Sequence, residues 1–105
     1  MKTCHLIAMI AALSVSATAF AADGEALFKK NNCSMCHKLD NKTVGPALKA
    51  ISAKYADDKD AVTKLMSKVR TGGVGVWGTT AMPPVAKSVS DEDIKTTVEW
   101  ILSRK

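Results

Sequence analysis

Histidine, cysteine and aromatic residues are scarce in this chain, and each shortage excludes something. The 105 residues include two His, three Cys, two Trp, two Phe and one Tyr. With so few aromatics to stack bases, and no run of basic residues, the chain does not read as a nucleic-acid binder. No segment alternates apolar and polar residues in the manner of a half-buried strand, and no internal repeat or low-complexity run is present. What remains is a helical pattern interrupted by one stretch rich in glycine and proline.

The N-terminal segment stands apart from the rest. Lys2 supplies a short positive start, Leu6 to Val15 an apolar run, and Ala19-Phe20-Ala21 a small-residue cleavage pattern. The alternative is an uncleaved anchor, since Leu6 to Ala22 carries no charge but falls just short of a membrane span. The small residues favour cleavage, so residues 1–21 are expected to be a secretory signal peptide and residues 22–105 one domain with no stable membrane insertion. Cleavage also removes Cys4 and His5. The net charge of +5 falls to +4 without Lys2, and apart from Arg70 and Arg104 its positive side is all lysine. A lysine excess in an exported domain suits electrostatic steering toward an acidic protein surface. A domain of this size buries too little surface to be robust alone and calls for a staple.

Cys33-Ser34-Met35-Cys36-His37 offers one. Cys-x-x-Cys-His is the attachment pattern for c-type heme: two thioethers form to one porphyrin, and the next residue places an imidazole within reach of iron. A disulfide would suit two cysteines in an exported chain, but it leaves His37 unexplained. A structural zinc site normally takes four protein ligands, and the domain offers three. A thioredoxin-like pair requires a βαβ context that the sequence lacks.

Around this motif the periodicity predicts four short helices. The first opens at Asp23-Gly24-Glu25, with carboxylates near its positive end, and carries Phe28 as a core residue. A second runs from Ala47 to Tyr55. A third follows the cap Asp57-Asp58-Lys59-Asp60 and repeats Val62, Leu65, Met66 and Val69 on one face. The last starts at Ser90 with an acidic first turn and carries Ile94, Val98, Ile101 and Leu102, with Trp100 on its flank. Between the last two, from Thr71 to Val89, four glycines and Pro83-Pro84 break every period. A loop that long in so small a domain calls for a functional reason.

The second iron ligand supplies that reason. With His5 gone, His37 is the only histidine, so two-histidine ligation within the domain is excluded. Met35 is tethered between the cysteines and Met66 sits on the apolar helix face as a gap filler. Met82 remains, followed by two prolines that stiffen its backbone. Methionine and histidine together raise the heme potential and fill both axial places, which favours electron transfer over catalysis. The rival reading is a heme enzyme or gas sensor in which Met82 is off the iron or easily displaced.

Five landmarks follow the motif in order: Val44-Gly45-Pro46-Ala47, Gly75-Val76-Trp77-Gly78, Met82-Pro83-Pro84, Ser90-Asp91 and Trp100-Ile101-Leu102. Together they resemble the small bacterial class I cytochromes c of the c-551/c-552 type. The resemblance implies an all-α fold wrapped around one heme c, with the first and last helices packed together. It further implies that the Pro46 carbonyl orients His37, that the Trp77 indole N–H bonds a heme propionate, and that Lys68 lies near a propionate. Many relatives carry Asn shortly after Met-Pro-Pro, where this chain has Val85. The family role implied is a monomeric periplasmic one-electron carrier, not an enzyme. Its donors are respiratory complexes, and its acceptors are proteins such as nitrite reductase, cytochrome c peroxidase or an oxidase. Lys29, Lys30, Lys38 and Lys42 are the docking lysines this reading suggests.

Overall fold

A computed structural model describes the backbone from residue 18 and side chains from residue 23 to the C-terminus. Most of the expected signal segment therefore lies outside the described residues. Four helices follow in order: α1 (Thr18–Lys30), α2 (Leu48–Lys54), α3 (Ala61–Thr71) and α4 (Asp91–Leu102), with a 3-10 turn at Cys33–Met35 between the first two. No strand occurs among the described residues. A single antiparallel bridge joins Gly73 to Met82.

Helix α4 is the centre of the packing and lies against each of the other three. Its buried stripe, Ile94, Thr97, Val98 and Ile101, recurs at three- and four-residue intervals, as one face of a helix requires. Val98 is fully buried. Phe28 of α1, only 4% exposed, meets Trp100 at 5.2 Å between ring centroids with the planes tilted by 48°, within the favoured range for aromatic pairs. Phe28, Leu48, Ile51 and Ile101 form the core cluster, with Tyr55 and Leu65 packed on it. The buried hydroxyls are bonded: Ser52 Oγ donates to the Leu102 carbonyl at 2.7 Å, tying α2 to the end of α4, and Thr97 Oγ1 donates to the Asp93 carbonyl at 2.8 Å.

The helix starts show what local sequence controls. Ser90 caps α4, its side chain accepting the Asp93 N–H at 3.1 Å, and three acidic residues occupy the first turn. Both features satisfy or complement the free amides of a helix start. Asp60 precedes α3 without a side-chain cap; instead Asp58 Oδ1 accepts the Asp60 N–H at 2.8 Å and Asp58 Oδ2 pairs with Lys64 at 2.7 Å. The first helix begins earlier than its carboxylates suggest. Asp23-Gly24-Glu25 lies inside α1, because Thr18-Ala19-Phe20-Ala21-Ala22 carries no helix breaker and continues the turn.

Candidate functional site

The Cys33–Met35 turn is closed by its own backbone. Cys33 O accepts from both Cys36 N at 3.2 Å and His37 N at 2.9 Å, so one hydrogen-bonded turn carries both thiols and the imidazole. Asn32, in the left-handed conformation at φ 61°, makes the corner from α1, a geometry Asn tolerates. The following loop folds back onto the turn: Thr43 Oγ1 and Gly45 N both donate to the Cys36 carbonyl, at 2.7 and 2.9 Å.

That fold-back brings Pro46 to His37. Histidine Nδ1 donates to the Pro46 carbonyl at 2.8 Å, which fixes the ring and leaves Nε2 with its lone pair free. Gly45 sits against the same ring. A Cβ there would lie 2.6 Å from His37 Cε1 and 2.9 Å from Nδ1, so no larger residue fits without moving the imidazole.

Met82 is held by different means. Gly73 N donates to the Met82 carbonyl at 3.0 Å and Met82 N to the Gly73 carbonyl at 2.9 Å. The intervening residues form a closed loop, pinched again by Gly75 N bonding to the Gly78 carbonyl at 2.9 Å. Gly72, at φ 66° and ψ −155°, lets the chain leave α3 in a direction essentially reserved for glycine. A Cβ on it would collide with the Met82 carbonyl.

Cys33, Cys36, His37, Pro46, Lys68, Trp77 and Met82 all line one cavity of about 380 Å³. Phe28, Leu48, Ile51, Leu65, Val98 and Ile101 line it as well, so the cavity runs into the apolar core. Met35, at 72% exposed, lines it at the turn; Met66 does not line it. Trp77 is 42% exposed, with the Lys54 ammonium 5.5 Å from its ring centroid, a cation–π distance. Lys68 is half-buried. Burial pushes the Cys33 thiol above its ordinary value, and the neighbouring Cys36 adds to that, against a lowering backbone hydrogen bond.

The donor chemistry fits heme c. Cys33 and Cys36 are free thiols, the imidazole has one nitrogen occupied and one open, and a thioether lines the same space. The walls are mainly apolar, as a porphyrin face requires. Among the described residues no three His, Cys, Asp or Glu side chains converge as a bare metal ion would need. Lys54 and Arg70 escape sequence reasoning, because each meets a partner 19 or more residues away and neither belongs to a motif.

Comparison with known proteins agrees with this chemistry. The family model for cytochrome c matches residues 21–105. Cytochrome c-552 of Nitrosomonas europaea is 49% identical over 105 residues, covering all of both chains. Cytochrome c-551 of Pseudomonas aeruginosa is 42% identical over 106 residues, again covering both. The crystal structure of wild-type Nitrosomonas europaea cytochrome c552 superposes with a TM-score of 0.71 at 53% identity, covering 77% of this chain and 99% of that one. Motif, all-helical fold, cavity and relatives agree, and the chain belongs to the cytochrome c family, as a small class I electron carrier of the c-551/c-552 type.

Proposed function

We propose that residues 22–105 carry a single heme c, bound through thioethers at Cys33 and Cys36, with His37 and Met82 as the axial ligands. The bound heme supplies one-electron chemistry at iron. The chain's residues hold it still and keep water out. The Pro46 carbonyl, 2.8 Å from His37 Nδ1, keeps the imidazole in one tautomer and one orientation, as outer partners of metal ligands do. Trp77 and Lys68, both on the cavity wall, would hold the heme propionates by indole N–H and ammonium. With His37 and Met82 both holding the iron, no coordination position would remain for a reactant, which would suit passing electrons and not catalysis.

The observation that carries this reading is the convergence of two thiols, an imidazole and a thioether on one apolar cavity. The test is the spectrum of the purified ferric protein. We expect a weak red band from sulfur–iron charge transfer, lost in Met82→Ala with a shift to high spin. A Met82→Ala variant that keeps the wild-type spectrum overturns the assignment.

The carrier works in the periplasm, after cleavage behind Ala21. Residues 22–105 make up close to the 77% of this chain that the crystallised Nitrosomonas europaea protein covers while matching 99% of itself. Among the described residues no helix is long and apolar enough to cross a membrane. The protein acts as a monomer and meets redox partners with acidic docking surfaces: respiratory complexes as donors and nitrite reductase, cytochrome c peroxidase or an oxidase as acceptors. Lys29, Lys30, Lys38 and Lys42 are all exposed and flank the heme motif. Of these, Lys29 is engaged with Glu25 at 2.9 Å and Lys38 with the Ser34 carbonyl at 2.8 Å.

A further inference from the structure

The segment after Met82 lines the cavity as far as Val85 and then runs to α4 without forming a helix or strand, yet it is anchored. One side chain and one backbone bond hold it. Arg70, in the last turn of α3, donates from one guanidinium nitrogen to the Val89 carbonyl at 2.6 Å and to Asp91 Oδ1 at 2.8 Å. Its other terminal nitrogen reaches the Ala86 carbonyl at 3.4 Å. One turn earlier on the same segment, Val85 N donates to the Val69 carbonyl at 3.0 Å. The span from Val85 to Asp91 is thereby fixed to the end of α3 by backbone and side chain together.

Between that anchor and Met82 lie only Pro83 and Pro84. Each proline has a fixed φ and no N–H, so the link transmits position instead of absorbing it. Upstream, Met82 is tied to Gly73, two residues beyond the end of α3. The methionine is thus held between two attachments to one helix.

We propose that Arg70 is a positioning residue for Met82: its guanidinium fork fastens the far end of the Pro83-Pro84 link and so limits how readily the sulfur leaves the iron. The inference rests on the axial role of Met82. Hydrogen bonds from a charged donor are the strong ones, and three acceptors spread over Ala86, Val89 and Asp91 match the planar fork of arginine and not the point charge of lysine.

An external ligand reads this directly. Imidazole binds ferric iron only when the sulfur is off, so its apparent affinity scales with the population of that state. Titrating the holoprotein with imidazole, and following the red sulfur–iron band, compares wild type with Arg70→Met, Arg70→Lys and Asp91→Asn. We expect Arg70→Met to bind imidazole about tenfold more tightly, a change equivalent to about 1.4 kcal/mol. Arg70→Lys, which keeps the charge without the fork, shifts the same way and carries the test if Arg70→Met does not fold. Asp91→Asn, which leaves the carbonyl bonds in place, shifts less. Amide exchange at Val85 should quicken in the arginine variants while that at Val98 in the core does not, which separates positioning from general loosening. Arginine variants that keep the band and the wild-type imidazole affinity overturn the inference alone. A wild-type ferric protein with no sulfur–iron band removes the axial reading, and this inference with it.

Discussion

Val98 in α4 is fully buried, whereas Trp77 in the glycine-rich loop is 42% exposed, and the two residues represent two ways of holding a chain in place. The helical frame is held by area. Phe28, Leu48, Ile51 and Ile101 cluster without directional bonds, and each apolar side chain removed from water contributes on the order of 1.5–3 kcal/mol. The loop from Gly72 to Ser90 buries little. It is held by particular bonds instead: the Gly73–Met82 bridge, Val85 to Val69, and Arg70 to Ala86, Val89 and Asp91. A frame held by area resists unfolding as a unit, while a loop held by a few bonds can open alone. The two residues proposed to hold the iron fall on opposite sides of this division. His37 is part of a closed turn backed by Pro46, and Met82 depends on the loop.

Substitutions can break the two regions separately. The largest effect belongs to the frame: Phe28→Ala should cost about 3–5 kcal/mol, seen as a lowered denaturant midpoint. In the fraction that remains folded, the red ferric band should persist, since Phe28 holds neither of the proposed iron ligands. Gly72→Ala addresses the loop. Its backbone angles are nearly exclusive to glycine and cost about 1–3 kcal/mol otherwise, and the added carbon meets the Met82 carbonyl. The sulfur–iron band should weaken at denaturant concentrations where helix content is still intact. Loss of both together would show that loop and frame open as one.

The smallest effect sharpens the comparison from a third place, the entry to α3. Lys64 beside Asp58 holds that carboxyl below the usual carboxylate range, helped by the Asp60 N–H, and Asp58 in turn raises Lys64. Because the folded value of Asp58 is depressed, its contribution is complete above the ordinary carboxylate value and disappears as pH falls through the lower folded value. For Lys64 the sign reverses: its contribution is present below the ordinary lysine value and disappears as pH rises through the raised one. Lys64 is exposed and Asp58 half-buried at the surface, so water and salt reach the pair and the effect is small. Asp58→Asn should leave stability nearly unchanged below the carboxylate range and lower it slightly at neutral pH. Thermal unfolding followed across pH in low salt checks this.

Much of the frame could be read from the sequence because its causes are local. The spacing of Val62, Leu65, Met66 and Val69, the cap at Ser90 and the stripe in α4 each act within a turn or two of helix. The boundary of α1 could not be placed, since Asp23 and Glu25 are as acceptable inside a helix as at its start. The heme-attachment motif was legible for a chemical reason, since few residue types bind iron and the chain has few of them; the same scarcity is what nominates Met82. The Pro46 carbonyl at His37 was legible only through the family resemblance, and it lies there at 2.8 Å. Nothing in the composition of the loop predicts a bridge between Gly73 and Met82, because one bridge leaves no strand period.

Local pattern was enough for the heme-attachment motif and the helices, since the motif is read from residue type and spacing and a helix from periodicity. How His37 and Met82 are held depends on the fold. Pro46 reaches His37 because residues 43–45 fold back on Cys36, and Arg70 reaches Ala86, Val89 and Asp91 because α3 and the loop end side by side. A hydrogen bond between residues far apart in the chain depends on where the fold carries both ends, and no local pattern records that.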